Sequence, residues 1–154
     1  MQLPPSGNKH DFLSLAPYCS PDPTEIGGIP YVCHDGIFNP EVQSIPDERN
    51  VNEMVTRVRV LCLAFHFSLD TLYASKAAEF LRVWFLNNNP QMNPNLQFAE
   101  MVPGLYNGTP HGIIAGNDLT DLGDSISLIK NTQAWTMQDQ KKLNHGLKSI
   151  LTGS

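Results

Sequence analysis

Residues 47–70 read DERNVNEMVTRVRVLCLAFHFSLD, and the fold class turns on them. Val51, Met54, Val55, Val58, Leu61, Cys62, Phe65 and Leu69 recur at intervals of three and four, the spacing of one face of an α-helix. Asp70 is placed to cap a second helix, in which Tyr73, Ala77, Phe80, Leu81 and Trp84 repeat the pattern before Asn87-Asn88-Asn89-Pro90 ends it. Two helices with so tight a joint predict an αα-hairpin. Farther on, Asn117 or Asp118 can cap a helix through Leu119, Leu122, Ile126 and Ile129. Thr136, with Asp139 three residues later, can cap a last one through Leu143, Leu147, Ile150 and Leu151, and the two predict a second hairpin. No segment alternates with period two for long enough to predict a strand. The class expected is all-α, built from helical hairpins.

Outward from this core, two regions break the pattern. Residues 1–47 are punctuated by eight prolines, from Pro4 to Pro46, with Gly27-Gly28 and Asp35-Gly36 as turn signals, which excludes a regular helix. Phe12, Leu13, Leu15, Tyr18, Ile29, Tyr31, Val32, Ile37 and Phe38 give this segment enough apolar surface to pack as an extended, Pro-rich N-terminal arm. The second is MNPNLQFAEMVPGLYNGTPHGIIAG, residues 92–116, far longer than the ordinary connection of about 4–6 residues and so a candidate binding loop. The first helix also carries Val60, Leu63, Ala64 and Phe67 off its main stripe, which predicts a further layer or partner.

Composition narrows the functional classes. A net charge of −5, with no basic run longer than Lys141-Lys142, provides no stripe for nucleic acid or an anionic membrane. An anionic ligand would have to be met by a cluster such as Lys9, His10, His34, Arg49 and His111, gathered by folding. No apolar run reaches the ~20 residues of a membrane span, and MQLPPSGNKHDF has no signal-peptide core. Cys19 and Cys33 could form a disulfide in an exported chain; three independent thiols, with Cys62 buried on a helix face, fit the sequence equally well. His10, His34, His66, His111 and His145 include no i,i+4 pair and no carboxylate at ligand spacing, so neither a metal site nor a cofactor is expected.

The order LPPSGNKHDFLSLAPY, PDP, GIPYVCHDGIFNPE, KAAEFLRVWFL, MNPNLQFAEMVPG, GII and WTMQDQ, running from Leu3 to about Thr152, resembles the N-terminal half of the alginate lyase-like family of polysaccharide lyases. The resemblance implies part of an incomplete (α/α) toroid over residues 48–154, a groove across its mouth, and cleavage of an anionic, uronate-containing polysaccharide by β-elimination. It also implies a secreted or periplasmic location. Such chemistry needs donors that neutralise the uronate carboxylate, a base for the adjacent proton and an acid for the leaving oxygen. In the family these are an Asn-His pair in an Asn-Asn-His-Gly motif and a later Tyr. By the same resemblance the motif follows the helix that begins at Trp135-Thr136, so the catalytic half is expected past Ser154 and the isolated chain is expected to be inactive.

Asn144-His145-Gly146 imitates the motif, but it lies inside the helix that Thr136 caps, where the simple reading is a solvent-facing histidine. The residues left for substrate binding are Lys9, His10 and Tyr18 from the arm, and Asn93, Asn95, Gln97, Glu100 and His111 from the long loop. Several depart from the family's habit. Glu100 stands where a Gln is usual, and a carboxylate cannot donate to a uronate as an amide can. Cys19-Ser20 replace two Trp, Cys33-His34 replace two Arg, and Thr109-Pro110-His111 replace a Gly-Arg pair, which removes stacking platforms and permanent cations. The alternatives are a non-catalytic carbohydrate-binding module, which keeps the groove without the chemistry, and a helical interaction module using the exposed stripe of the first helix.

Overall fold

The computed structural model describes residues 2–152, and side chains through Ile150. The side chain of Leu151, expected on the buried face of the last helix, is therefore not described, and Gly153 and Ser154, at the end of the expected helical region, lie outside the described residues. The apolar stripe from Val51 to Phe65 lies on α1 (Asp47–Ser68). Asp47 and Glu48 occupy its first turn, where negative charge offsets the positive end of the helix dipole. It ends at Leu69, whose left-handed backbone (φ 58°) lets its N–H reach the Phe65 carbonyl at 2.8 Å. Leu69 lies outside the buried stripe, 73% exposed, because the chain reverses there. Asp70 then accepts the Leu72 N–H at 2.9 Å and starts α2 (Thr71–Phe85), as its position predicted.

α1 is the centre of the helical layer and packs against both α2 and the later α3 (Asp121–Ile129). Val51, Met54, Val55, Val58 and Cys62 are its buried face, and α2 answers with Leu81 and with Ala74, Ala77 and Ala78, whose small side chains let the two backbones approach closely. Burial pushes the free Cys62 thiol up to about 11, so it behaves as a small core residue. On α3, Leu122, Ile126 and Ile129 are buried with Leu119 just before it. Neither Asn117 nor Asp118 caps this helix. A 3₁₀ run over Pro110–Thr120 leads directly into it, and the Asp121 N–H is satisfied by the Asp118 and Leu119 carbonyls.

The last helix, α4 (Met137–Thr152), begins at a reciprocal cap. The Thr136 N–H donates to Asp139 Oδ2 at 3.0 Å and the Asp139 N–H donates to Thr136 Oγ1 at 3.1 Å. The sequence pairs this helix with α3, yet its backbone lies more extensively along α2, where Arg82 bridges to Asp139. Leu147 and Ile150 face Leu119 and Gly123 across a small apolar cleft of about 150 Å³. Val60 (57%), Leu63 (42%) and Phe67 (82%) are exposed on α1, so among the described residues nothing covers that strip.

The fold is mostly helical, with short strands that the sequence pattern did not predict. β1 (Leu13–Leu15) runs parallel to β4 (Phe98–Met101), and β2 (Cys19–Ser20) is antiparallel to β3 (Val32–Cys33). These segments are two to four residues long. Leu13, Ser14 and Leu15 are all buried, so no inside-outside alternation could mark a strand. Leu13, Leu15, Ile45, Phe98 and Met101 form a second apolar cluster under the ladder, while Phe12 joins the helical core.

Cys19 and Cys33 are opposite partners on β2 and β3 and form a disulfide, which resolves the choice that their spacing left open. Asn39, 1% exposed, braces the same hairpin by donating to the Cys19 carbonyl at 2.8 Å. Tyr31 donates to Glu41 at 2.6 Å; burial first, and then this bond and the Glu41 charge, push its hydroxyl up to about 12. Reduction of the bridge, or joint Cys19→Ser and Cys33→Ser replacement, is expected to cost about 2–3 kcal/mol, the chain-entropy value for a link across so short a loop. Urea unfolding with and without dithiothreitol measures it, and an unchanged midpoint would show that Asn39 and the ladder hold the hairpin alone.

Candidate functional site

The geometry of the site begins with Asp11, a carboxylate 8% exposed at the junction of the N-terminal segment and the long loop. Ser6 Oγ donates to it at 2.6 Å, Asn93 Nδ2 at 2.7 Å and Asn95 Nδ2 at 3.4 Å. Burial alone would raise this carboxyl, but the bonds from Ser6, Asn93 and Asn95, with the His10 charge, outweigh it and hold it below the ordinary carboxylate range. The Asn93 N–H adds a backbone tie to the His10 carbonyl at 2.9 Å. Sequence positions more than eighty residues apart are thereby locked into one wall.

Two clefts flank the first turns of α1. The first, about 340 Å³, has Lys9, His10, Asp11, Asp47 and Asn50 as polar lining and Phe12, Val51, Val83, Trp84, Pro90 and Met92 as apolar lining. Asp47 is half tied into the wall, accepting the Leu13 N–H at 3.0 Å; burial raises its carboxyl and that bond opposes the rise. One lysine, one imidazole and two carboxylates beside the Trp84 face suit the hydroxyls and apolar face of a sugar ring.

The second cleft, about 530 Å³, is lined by Leu15, Pro17, Phe38, Val42, Gln43, Ile45, Glu48, Arg49, Asn52 and Glu100. Glu100 reaches it through a bulge. Leu13 pairs with Phe98 but Leu15 pairs with Met101, so β4 holds one residue more than β1 between these pairs. Glu100 takes the strain of that extra residue at φ 50°, in the left-handed region that a Glu rarely adopts, and its N–H is held by Ser14 Oγ at 2.9 Å. Burial, then the negative charges of Glu100 and Asp118, push the Glu48 carboxyl up. Among the described residues, Asn52 Oδ1 is the one buried side-chain polar atom without a hydrogen-bond partner, and Asn52 lines this cleft.

The residues expected to bind substrate do not converge on one place. Lys9 and His10 share the first cleft, Glu100 sits in the second, and the Asn93 and Asn95 amides are committed to Asp11 in the wall of the first. Gln97 is exposed beside that junction, its N–H donating to Asn95 Oδ1 at 3.2 Å. Tyr18 is 46% exposed on the approach to the disulfide hairpin, and His111 is exposed on the 3₁₀ run; neither lines either cleft. Asn144 and His145 are exposed on α4, with Asn144 Oδ1 accepting from Gln140 at 2.9 Å, and neither lines either cleft. The cationic cluster also divides: Lys9 and His10 go to one cleft and Arg49 to the other, with His34 and His111 in neither.

Asp47, Glu48, Asn50 and Asn52, which line the two clefts, carry no motif in the sequence. The available signal was their position in the first turns of α1, where Glu48 and Asn52 stand four residues apart and therefore on one side. No group of three or more His, Cys, Asp or Glu that could hold a metal ion occurs among the described residues.

Comparison with known proteins agrees with this architecture. The sequence model of the alginate lyase family matches residues 1–153. A solved alginate lyase from Bacteroides ovatus superposes with a TM-score of 0.88 at 35% identity, over 98% of this chain and 40% of that one. The chain thus spans well under half the length of that relative. No curated protein matches the chain. With the match extending over almost every residue, and at an identity well above that of mere fold likeness, the chain belongs to the alginate lyase family.

Proposed function

We propose that this chain is the groove-forming portion of a polysaccharide lyase that acts on a uronate-containing polysaccharide by β-elimination. The observation that carries the reading is the end-to-end likeness to the Bacteroides ovatus alginate lyase together with the open cleft beside Glu100. In this reading residues 1–47 are an arm that forms one wall, and residues 48–154 are the opening arc of an (α/α) toroid. Later hairpins of the toroid cover Val60, Leu63 and Phe67, whose exposure is otherwise an unfavourable apolar strip.

The chain's own residues bind and orient. Lys9 and His10 offer donors beside Trp84, while Tyr18, Gln97 and His111 are exposed outside both clefts, where a longer polymer chain would meet them. Asn93 and Asn95 act through Asp11, holding the loop that presents Gln97 and Glu100. Proton abstraction and leaving-group protonation fall to an Asn-His pair and a Tyr that lie elsewhere in the domain, so the isolated chain has no turnover. The Cys19–Cys33 bridge fits an oxidising compartment, hence a secreted or periplasmic protein. No helix among the described residues is long and apolar enough to cross a membrane.

The test is the ultraviolet absorbance of the unsaturated uronate product. With alginate, glucuronan and glycosaminoglycan fragments as substrates, the 154-residue chain is expected to give no rise, and a chain extended to the length of the solved relative is expected to give one. Sustained turnover by the 154 residues alone would overturn the division of labour. Silence of the extended chain on every uronate polymer would overturn the activity.

A further inference from the structure

The lining of the second cleft specifies what kind of sugar unit it takes, an inference that rests on the carbohydrate reading above and deepens it. Its polar groups are unbalanced. Glu48 and Glu100 bring two carboxylates, both acceptors only when ionised, against the single guanidinium of Arg49. Asn52 brings a buried oxygen with no donor among the described residues, and Gln43 is the remaining polar side chain. Pro17, Phe38, Val42 and Ile45 supply an apolar floor.

The acids are held there by the fold. Glu48 is fixed in the first turn of α1, and Glu100 is delivered by a bulge that places a non-glycine residue at φ 50° and pins its N–H on Ser14. A more ordinary backbone at this position would turn the side chain elsewhere, so the strained conformation is maintained by the β1–β4 ladder around it. Thr109 Oγ1 gives Glu100 only a long contact of 3.4 Å, leaving most of the carboxylate's capacity for another partner. Asp118 adds a further negative charge that acts on Glu48 alongside Glu100.

We infer that Glu48, Glu100 and Asn52 form a subsite for a sugar unit that carries hydrogen-bond donors and no carboxylate, a neutral sugar or an amino sugar, so that the uronate of the polymer sits outside this cleft. A uronate placed here would bring a third carboxylate beside two, with one cation to serve all three. A hydroxyl or ammonium would instead donate to Glu48, Glu100 and the orphaned Asn52 oxygen, and the ring's apolar face would lie on Phe38. The polymer chemistry that follows is a heteropolysaccharide in which uronate and non-uronate units alternate or adjoin.

Calorimetric titration of the 154-residue chain with three tetrasaccharides tests this: a tetrauronate, a neutral tetrahexose and a tetraglucosamine, at low salt and neutral pH. The neutral or amino tetramer is expected to bind at least tenfold more tightly than the tetrauronate, and the stronger of the two tells hydroxyl from ammonium recognition. Glu48→Gln with Glu100→Gln keeps the shapes, removes both charges and supplies amide donors. It is expected to improve tetrauronate binding about tenfold, equivalent to about 1.4 kcal/mol, and to weaken the tetraglucosamine. The Asn52 side-chain amide resonances are expected to move on saturation with the preferred ligand. A native chain that prefers the tetrauronate, with affinity unmoved by the double replacement, would overturn the subsite while leaving a sugar groove in place. Absence of binding by all three, in native and variant chains alike, would remove both the subsite and the carbohydrate reading.

Discussion

Asp139→Ala is expected to destabilise the chain by about 3 kcal/mol at neutral pH, the cost of breaking a partly buried ion pair and losing a helix cap together. Asp139 receives Arg82 Nη2 at 2.6 Å and Nε at 3.3 Å, and also the Thr136 N–H and hydroxyl. The Arg82 bonds come first in holding its carboxyl down to about 2, against the opposing effect of burial. A carboxyl with an unfolded value of 3.8 and a folded value near 2 contributes roughly 2 kcal/mol once both states are ionised. That contribution is complete above about pH 4 and is lost as pH falls through the folded value. The side chain of Arg82 is 34% exposed, so water moderates the loss below that of a fully buried pair. Arg82 Nη2 also donates to the Ala134 carbonyl at 2.6 Å, and the guanidinium lies 5.9 Å from the Trp135 ring centroid. These contacts remain in the variant. Urea unfolding at pH 7 and near pH 2 measures the effect: the deficit of the variant should be full at the first and smaller by roughly 2 kcal/mol at the second. A deficit equal at both pH values would show that the charge of Asp139 contributes nothing.

Asp11→Ala is expected to cost about 3–4 kcal/mol, because one carboxylate satisfies three donors and its removal leaves the Asn93 and Asn95 amides without their shared acceptor. Its folded value is depressed below the ordinary 3.8, so its stabilisation is likewise full above the ordinary carboxylate range and fades as pH falls below it. The loss should be local before it is global. Residues 6–11 and 93–97 would lose hydrogen-exchange protection ahead of α1 and α2, whose core at Val58, Cys62, Ala77 and Leu81 is elsewhere. Asp11→Asn should retain part of the stability, since one oxygen can still accept from Asn93 while the amide donates to Ser6. Unchanged exchange in 93–97 would separate the long loop from Asp11 and free Asn93 and Asn95 for direct contact with a ligand.

The sequence by itself determined the helices. Period alone located α1 and α2, and local chemistry located the caps at Asp70 and Thr136–Asp139, because helix hydrogen bonds and caps join residues only a few positions apart. Family membership was legible too, since it rests on the order of motifs along the chain rather than on their positions in space. What the tertiary structure decided was every feature made between distant segments: the β1–β4 ladder, the Cys19–Cys33 bridge, the ties of Asp11 to Asn93 and Asn95, and the bulge that aims Glu100. The 3₁₀ run before α3 belongs here as well, for it removed the need for a cap that Asn117 or Asp118 could have supplied. The physical reason is common to them all. A strand of three residues buried on both faces has no periodicity of its own, and a polar side chain carries no mark of which donor will reach it. Whether Asn93 faces a ligand or a carboxylate eighty-two positions away is settled only when the two segments pack.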